Sequence, residues 1–191
     1  GLVGSEMCIR DSYMAWDERG RLWVVETVDY PNEFKDGRNG NDRVKICEDT
    51  DGDGKADKFT VFADGFNIPT SMTFARGGVI LAHAPEFYFL KDTDGDDKAD
   101  VREVMFTGWG VGDTHAGPSN LRYGFDNWIY GTVGYARFNG SLRGKQHNFG
   151  MGVFRFKSDS SEIEFLHQFN NNTWGLGFNA AGDIFGSTAN N

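Results

Sequence analysis

The stretch Leu121–Val133, LRYGFDNWIYGTV, decides the fold. A short apolar segment runs into a turn of Gly, Phe, Asp and Asn, and a second segment rich in aromatic and β-branched residues leaves it. Strand, tight turn, strand is a hairpin. The same pattern recurs as MAWDERGRLWVVE at 14–26, MTFARGGVILAH at 72–83 and LGFNAAGDIFGST at 176–188. The copies start at residues 14, 72, 121 and 176, so 58, 49 and 55 residues apart. Each complete copy runs on into a second hairpin. Third strands are expected at 43–49, 86–92 and 152–159, and fourth strands at 58–65, 101–108 and 162–169. Four strands per repeat, lengthened by loop insertions, is the blade of a β-propeller. The spacing predicts an all-β chain, a β-propeller fragment of about three and a half four-stranded blades. A solenoid is the alternative, though its repeats are shorter and more even. A sandwich does not restart the same two-hairpin pattern.

The composition agrees. Aromatic residues make up 15%, led by 17 Phe, and there are 26 Gly. No run of 18 or more apolar residues spans a membrane. The net charge of −9 argues against a nucleic-acid partner, which needs a basic face. Two cysteines, Cys8 and Cys47, define no disulfide framework. The segment EMCIRDS (6–12) joins no period that follows and reads as a translated sequencing adapter. On that reading residues 1–12 are not native, Cys8 is not a cysteine of the protein, and 13–191 is a partial propeller domain truncated at both ends. The alternative is a genuine irregular arm.

Blade geometry sorts loops onto two faces. Strands alternate up and down, so residues before a first strand and after a second strand share one face. That face collects Glu26, His83 and Tyr135 after second strands. It also collects Asp113, Thr114 and His115 before one first strand, and Asn171, Asn172, Thr173 and Trp174 before another. Sequence-distant residues converge there, beside the central channel. Glu26 and His83 are expected at the channel mouth or, equally, as polar strand ends. Trp109 and Trp174 are placed to stack on a ligand ring or to pack between blades.

Two near-identical loops stand apart. DTDGDGKAD (49–57) and DTDGDDKAD (92–100) hold nine of the Asp residues. Asp49, Asp51 and Asp53, and likewise Asp92, Asp94 and Asp96, line the inside of a tight loop. Asp57 and Asp100 sit where a further ligand is expected. Such oxygen density suits Ca²⁺, which takes six to eight oxygen ligands. Plain Asp-Gly turns are the alternative, but a turn needs one Asp rather than four. Both loops join third to fourth strands, opposite the convergent face, so a structural role is expected. Calcium-filled loops also suggest a periplasmic or extracellular setting.

GRLWVVE (20–26), the paired DTDGD loops, GDTHAGPSNLRYGFDNWIYG (112–131) and NNTWGLGFNAAGDIFGSTANN (171–191) carry a resemblance. Over about 13–191 the chain resembles the propeller of the pyrroloquinoline-quinone (PQQ) dependent sugar dehydrogenases. It resembles in particular the so-called membrane-bound dehydrogenase domain of Planctomycetes and Verrucomicrobia. The resemblance implies PQQ as cofactor, a sugar or other alcohol as substrate, and missing blades with a cytochrome c domain as partners. It implies His115 as the catalytic base, with Asp113 a stand-in for the Asp that orients it. The family's orienting Asp position holds Tyr135 here. The family's cofactor-contacting Arg–Asn pair reads Asn171–Asn172, so Asn172 is kept and the Arg is not. Glu26, His83, Tyr135 and Asn172 are the expected cofactor contacts. The alternative function is a non-catalytic carbohydrate- or protein-binding propeller; a lactonase-type hydrolase is more distant, because few channel carboxylates are visible.

Overall fold

A computed structural model describes residues 11–31, 34, 35, 37 and 39–189. Among the described residues sixteen strands form and there is no α-helix. The first blade is β1 (Asp11–Trp16), β2 (Leu22–Glu26), β3 (Asp42–Glu48) and β4 (Lys58–Phe66), hydrogen-bonded in that order. The second is β5 (Ser71–Ala75), β6 (Gly78–His83), β7 (Glu86–Lys91) and β8 (Val101–Thr107). The third joins β9 (Pro118–Tyr123), β10 (Ile129–Val133), β13 (Gly152–Phe156) and β14 (Ile163–Gln168). A last pair, β15 (Thr173–Phe178) and β16 (Ile184–Thr188), begins a fourth. All pairings within the blades are antiparallel. Three four-stranded blades and half of a fourth stand as the repeat predicts.

The inner hairpins share their turn chemistry. Asp17 Oδ1 accepts the backbone N–H of Arg19 and Arg21, both at 2.9 Å. Asn179 Oδ1 does the same for Ala181 at 3.0 Å and Asp183 at 2.9 Å. An Asx side chain that bonds its own backbone closes such turns. In the second blade the turn is Arg76–Gly77, both left-handed at φ 55° and 71°.

Between β10 and β13 the chain inserts a hairpin absent from the sequence reading, β11 (Phe138–Leu142) and β12 (Lys145–Phe149). Its turn, Arg143–Gly144, is left-handed, and alternation places Phe138, Leu142 and Phe149 inward. They join Phe87, Phe106, Trp109, Phe154 and Phe156 in one core between the second and third blades. Trp109 is 2% exposed and stacks on Phe87 at 5.0 Å, so it is a packing residue. Between the first and second blades, Trp23 meets Phe62 at 4.6 Å and Phe74 at 5.3 Å. The high phenylalanine content is therefore spent on blade-to-blade contacts, where flat rings fill the gap between twisted sheets.

Strand β1 begins at Asp11, paired with Glu26, so Asp11 and Ser12 of the stretch set apart above are in the first blade. The Ser12 hydroxyl donates to Pro69 O at 2.9 Å. Residues 1–10 lie outside the described residues.

Candidate functional site

On the face where second strands end, a cleft of ≈ 650 Å³ opens between the blades. Its walls come from three connections: Thr27, Val28 and Tyr30 after β2, Ile68–Thr70 before β5, and Thr114, His115 and Gly117 before β9. Thr173 and Trp174 of β15 add to the lining. These segments meet because each connection enters or leaves the innermost strands of adjacent blades.

The long connection 27–41 is held by two buried carboxylates. Asp42, fully buried, accepts Thr27 Oγ1 at 2.8 Å, Val28 N at 2.6 Å, Asp29 N at 2.9 Å and Ile68 N at 2.5 Å. Asp29 accepts Lys35 Nζ at 2.5 Å, Asn41 N at 3.0 Å and Asn67 Nδ2 at 3.0 Å. Burial pushes the Asp29 carboxyl up, but these donors outweigh it and hold its pKa at about 2. The connection so fixed carries Tyr30, whose ring meets the His115 ring edge-on at 5.2 Å.

His115 stands at the cleft mouth, half exposed. Its backbone N–H donates to Asp113 Oδ1 at 2.8 Å. Its Nδ1 lies 3.5 Å from the same oxygen and 3.2 Å from Thr114 Oγ1, while the Thr114 hydroxyl donates to Pro31 O at 3.4 Å. Nδ1 thus sits between the Asp113 carboxylate and the Thr114 hydroxyl. Asp113 and His115, paired on sequence grounds, are within reach of each other.

The expected cofactor contacts are arranged differently. Glu26 is paired with Arg43 and with Lys45 at 3.5 Å. Burial pushes its carboxyl up, and the two cations more than reverse this, leaving its pKa below the usual carboxylate range. His83 is 1% exposed; its Nε2 accepts Asn67 N at 3.1 Å, and its ring rests against Phe66 at 5.5 Å and Tyr88 at 5.4 Å. Neither lines the cleft. Tyr135 donates to Asn171 Oδ1 at 2.6 Å beside the cleft. Asn172 is 7% exposed, with its Oδ1 close against Gly134, where a Cβ would come within 1.8 Å. Tyr30 and Asn120 belong to the lining and were missed. The 15-residue connection 27–41 was the available signal for Tyr30, since long connections often carry function.

On the opposite face the acidic loops fold alike. Carboxylate oxygens of Asp49, Asp51 and Asp53 lie within 4.8 Å of one another, as do those of Asp92, Asp94 and Asp100. Asp57 instead accepts Thr50 N at 3.0 Å and Thr50 Oγ1 at 2.8 Å. Asp96 accepts Lys98 N at 2.9 Å. Backbone N–H bonds, from Gly54 to Asp49 and from Gly95 to Asp92 foremost, hold those two carboxyls below their ordinary pKa.

Antiparallel four-stranded blades, with a cleft where their connections converge, make the chain a β-propeller-like fragment. The chain belongs to the family described as domain of unknown function DUF7133, whose model matches residues 1–191. No curated protein matches it in sequence. Among solved structures it is similar to a Trichoderma reesei protein of Carbohydrate-Active Enzymes Family AA12, with 13% identity and a TM-score of 0.50, over 71% of this chain and 32% of that one. It is also similar to a Thermus thermophilus protein provisionally described as an oxidoreductase (glucose dehydrogenase), with 19% identity and a TM-score of 0.40, over 63% of this chain and 38% of that one. The chain spans about a third of the length of these structures. At such identities the likeness concerns the fold.

Proposed function

We propose that the cleft is the substrate side of a quinoprotein-type oxidoreductase propeller acting on a sugar or other alcohol, with His115 as proton acceptor. The observation that carries this reading is the Asp113–His115 arrangement at the cleft mouth, a carboxylate beside a half-exposed imidazole. An imidazole has the intrinsic pKa to take a hydroxyl proton at neutral pH. Asp113 steadies the imidazolium that forms.

Oxidation also needs a hydride acceptor, and the resemblance implies PQQ. The lining does not fit it. A tricarboxylate calls for cations, and no Lys or Arg is among the described lining residues. Three cations of the first blade are paired elsewhere, Arg43 and Lys45 with Glu26 and Lys35 with Asp29. Groups that would hold such a quinone lie outside this lining. The same observation favours the second reading, a non-catalytic carbohydrate-binding propeller.

The two Asp loops are proposed as structural Ca²⁺ sites, and a periplasmic or extracellular location goes with them. Further blades and a cytochrome c domain are proposed partners within the full-length protein. The test is dye-linked oxidation of a sugar and alcohol panel by the full-length protein, with added PQQ and Ca²⁺. Turnover supports the oxidoreductase; saturable sugar binding without turnover supports the second reading.

A further inference from the structure

Asp113 and Thr114, the two residues before His115, hold it from its own segment. Contacts so close in sequence travel with the connection that carries them. They fix the imidazole only relative to that connection, and a half-exposed ring can still turn between rotamers. The first blade supplies two further contacts. The Tyr30 ring meets the His115 ring at 5.2 Å with the planes 70° apart. Pro31 O accepts the Thr114 hydroxyl at 3.4 Å, across 83 residues of sequence. Tyr30 is anchored at its backbone: its N–H donates to Thr27 Oγ1 at 3.3 Å, and that hydroxyl donates to buried Asp42. Asp42 also accepts the N–H of Ile68, and Thr70 Oγ1 donates to Pro118 O at the start of β9. Connections of three blades are thereby tied to one another beside His115. Tyr30 itself is 42% exposed, so its ring does not fill the core.

We propose that Tyr30 is a positioning residue: a ring supplied by the first blade fixes the orientation of the His115 imidazole, which the connection into the third blade carries. The inference rests on reading His115 as the proton acceptor. Proton transfer needs the accepting nitrogen within hydrogen-bond reach of the substrate hydroxyl. An imidazole free to turn away loses rate in proportion to the time it spends misplaced. One edge-on ring pair shifts such an orientational equilibrium by up to about tenfold. A ring that acts through His115 makes no contact of its own with substrate, so its loss falls on kcat and kcat/KM equally and leaves KM unchanged. The ring carries the role and the phenol does not, so phenylalanine can replace tyrosine and leucine cannot.

The test compares Tyr30→Phe and Tyr30→Leu in the full-length protein by two readouts. The first needs no activity: NMR of protein carrying ring-labelled histidine, with the His115 signal assigned by its loss in His115→Gln. The Tyr30 ring current displaces that signal; Tyr30→Leu is expected to remove the displacement and Tyr30→Phe to keep it. The second is steady-state turnover, in which Tyr30→Leu is expected to lower kcat up to about tenfold at constant KM, while Tyr30→Phe stays near wild type. A His115 signal indifferent to Tyr30→Leu overturns the proposal. So does an active Tyr30→Leu enzyme with wild-type kcat, or one changed in KM alone, which would make Tyr30 a substrate contact. A loss in Tyr30→Phe as large as in Tyr30→Leu overturns it too, since the phenol would then carry the effect. Should Tyr30→Leu fail to fold, Tyr30→Phe together with Tyr30→Trp, a second aromatic replacement expected to keep the displaced signal, decides in its place. A protein without turnover whose His115 signal still follows the Tyr30 ring sinks the oxidoreductase reading and leaves the positioning contact standing. Turnover that depends on His115 and ignores Tyr30→Leu does the reverse.

Discussion

Tyr135 and Asn171 are joined by a hydrogen bond of 2.6 Å, from the phenol to the amide oxygen. They lie 36 residues apart, one after β10 and one before β15. They are also the two positions at which the sequence departs from the resemblance, Tyr for Asp and Asn for Arg. The departures are thus coupled: each neutral residue is the other's partner. Asn171 Oδ1 also accepts Asn172 N at 2.8 Å, so the pair shapes the entry into β15.

Removing the phenol should therefore be cheap. Tyr135 is half exposed, and water can replace the lost donor. Tyr135→Phe is expected to cost no more than about 1 kcal/mol in urea unfolding. A loss of about 3 kcal/mol would show that the pair is a structural lock instead.

His115→Ala should abolish turnover in the active full-length protein while leaving the melting temperature unchanged, because the ring is half exposed. Loss of a general base typically costs about 10²- to 10⁴-fold in rate. Asp113→Asn should cost less, because an amide oxygen can still accept the His115 backbone N–H. Activity within a few-fold of wild type in His115→Ala removes the base assignment.

Chelation should lower the melting temperature of the full-length protein, and Ca²⁺ should restore it, since a cation bound only to the folded loops stabilises by mass action. Asp49→Asn with Asp92→Asn should erase the difference. An equal melting temperature with and without chelator counts against cation binding at both loops.

Asp29 should make stability fall in acid. Its folded pKa of about 2 lies below the ordinary 3.8, so its contribution is present above that ordinary value and is lost as pH drops toward 2. The shift corresponds to about 2 kcal/mol. Asp29→Asn should flatten the stability profile between about pH 4 and 2, measured by denaturant unfolding; an unaltered slope places the acid sensitivity elsewhere.

Arg21 Nη1 of the first blade lies 2.8 Å from Asp97 Oδ1 of the second acidic loop. Asp97 occupies the position of Gly54 in the first loop, and both are left-handed, at φ 62° and 85°. The Asp tolerates that backbone and gains an ion pair across the blade boundary. A double-mutant cycle with Arg21→Ala and Asp97→Ala should return a coupling of up to about 1 kcal/mol, because both side chains are in reach of solvent. Full additivity would show the pair contributes nothing.

Much of the fold was legible because its information is local. Alternation of apolar and polar residues, Asx-led turns and Gly at left-handed positions mark each hairpin within about a dozen residues. The β11–β12 hairpin escaped because its strands are interrupted by Asn, Gly and Ser, and its Arg–Gly turn is weakly marked. At the site, the convergence of 113–115 and 171–174 on one face followed from blade topology alone. The fate of individual side chains did not: Glu26 is occupied by Arg43 and Lys45, and His83 is enclosed by Phe66 and Tyr88.

The sequence by itself determined the repeat, the strand order within blades, the face each loop occupies and the two Asp loops, since these follow from short-range patterns and the period-two alternation of strands. Only the tertiary structure decided that Trp109 packs in the core while Trp174 opens on the cleft, that Asp113 reaches His115, and that Tyr135 meets Asn171. Those outcomes depend on how twisted sheets stack and which distant loops they bring together. A tryptophan beside a strand reads the same in sequence whether the neighbouring blade covers it or leaves it bare.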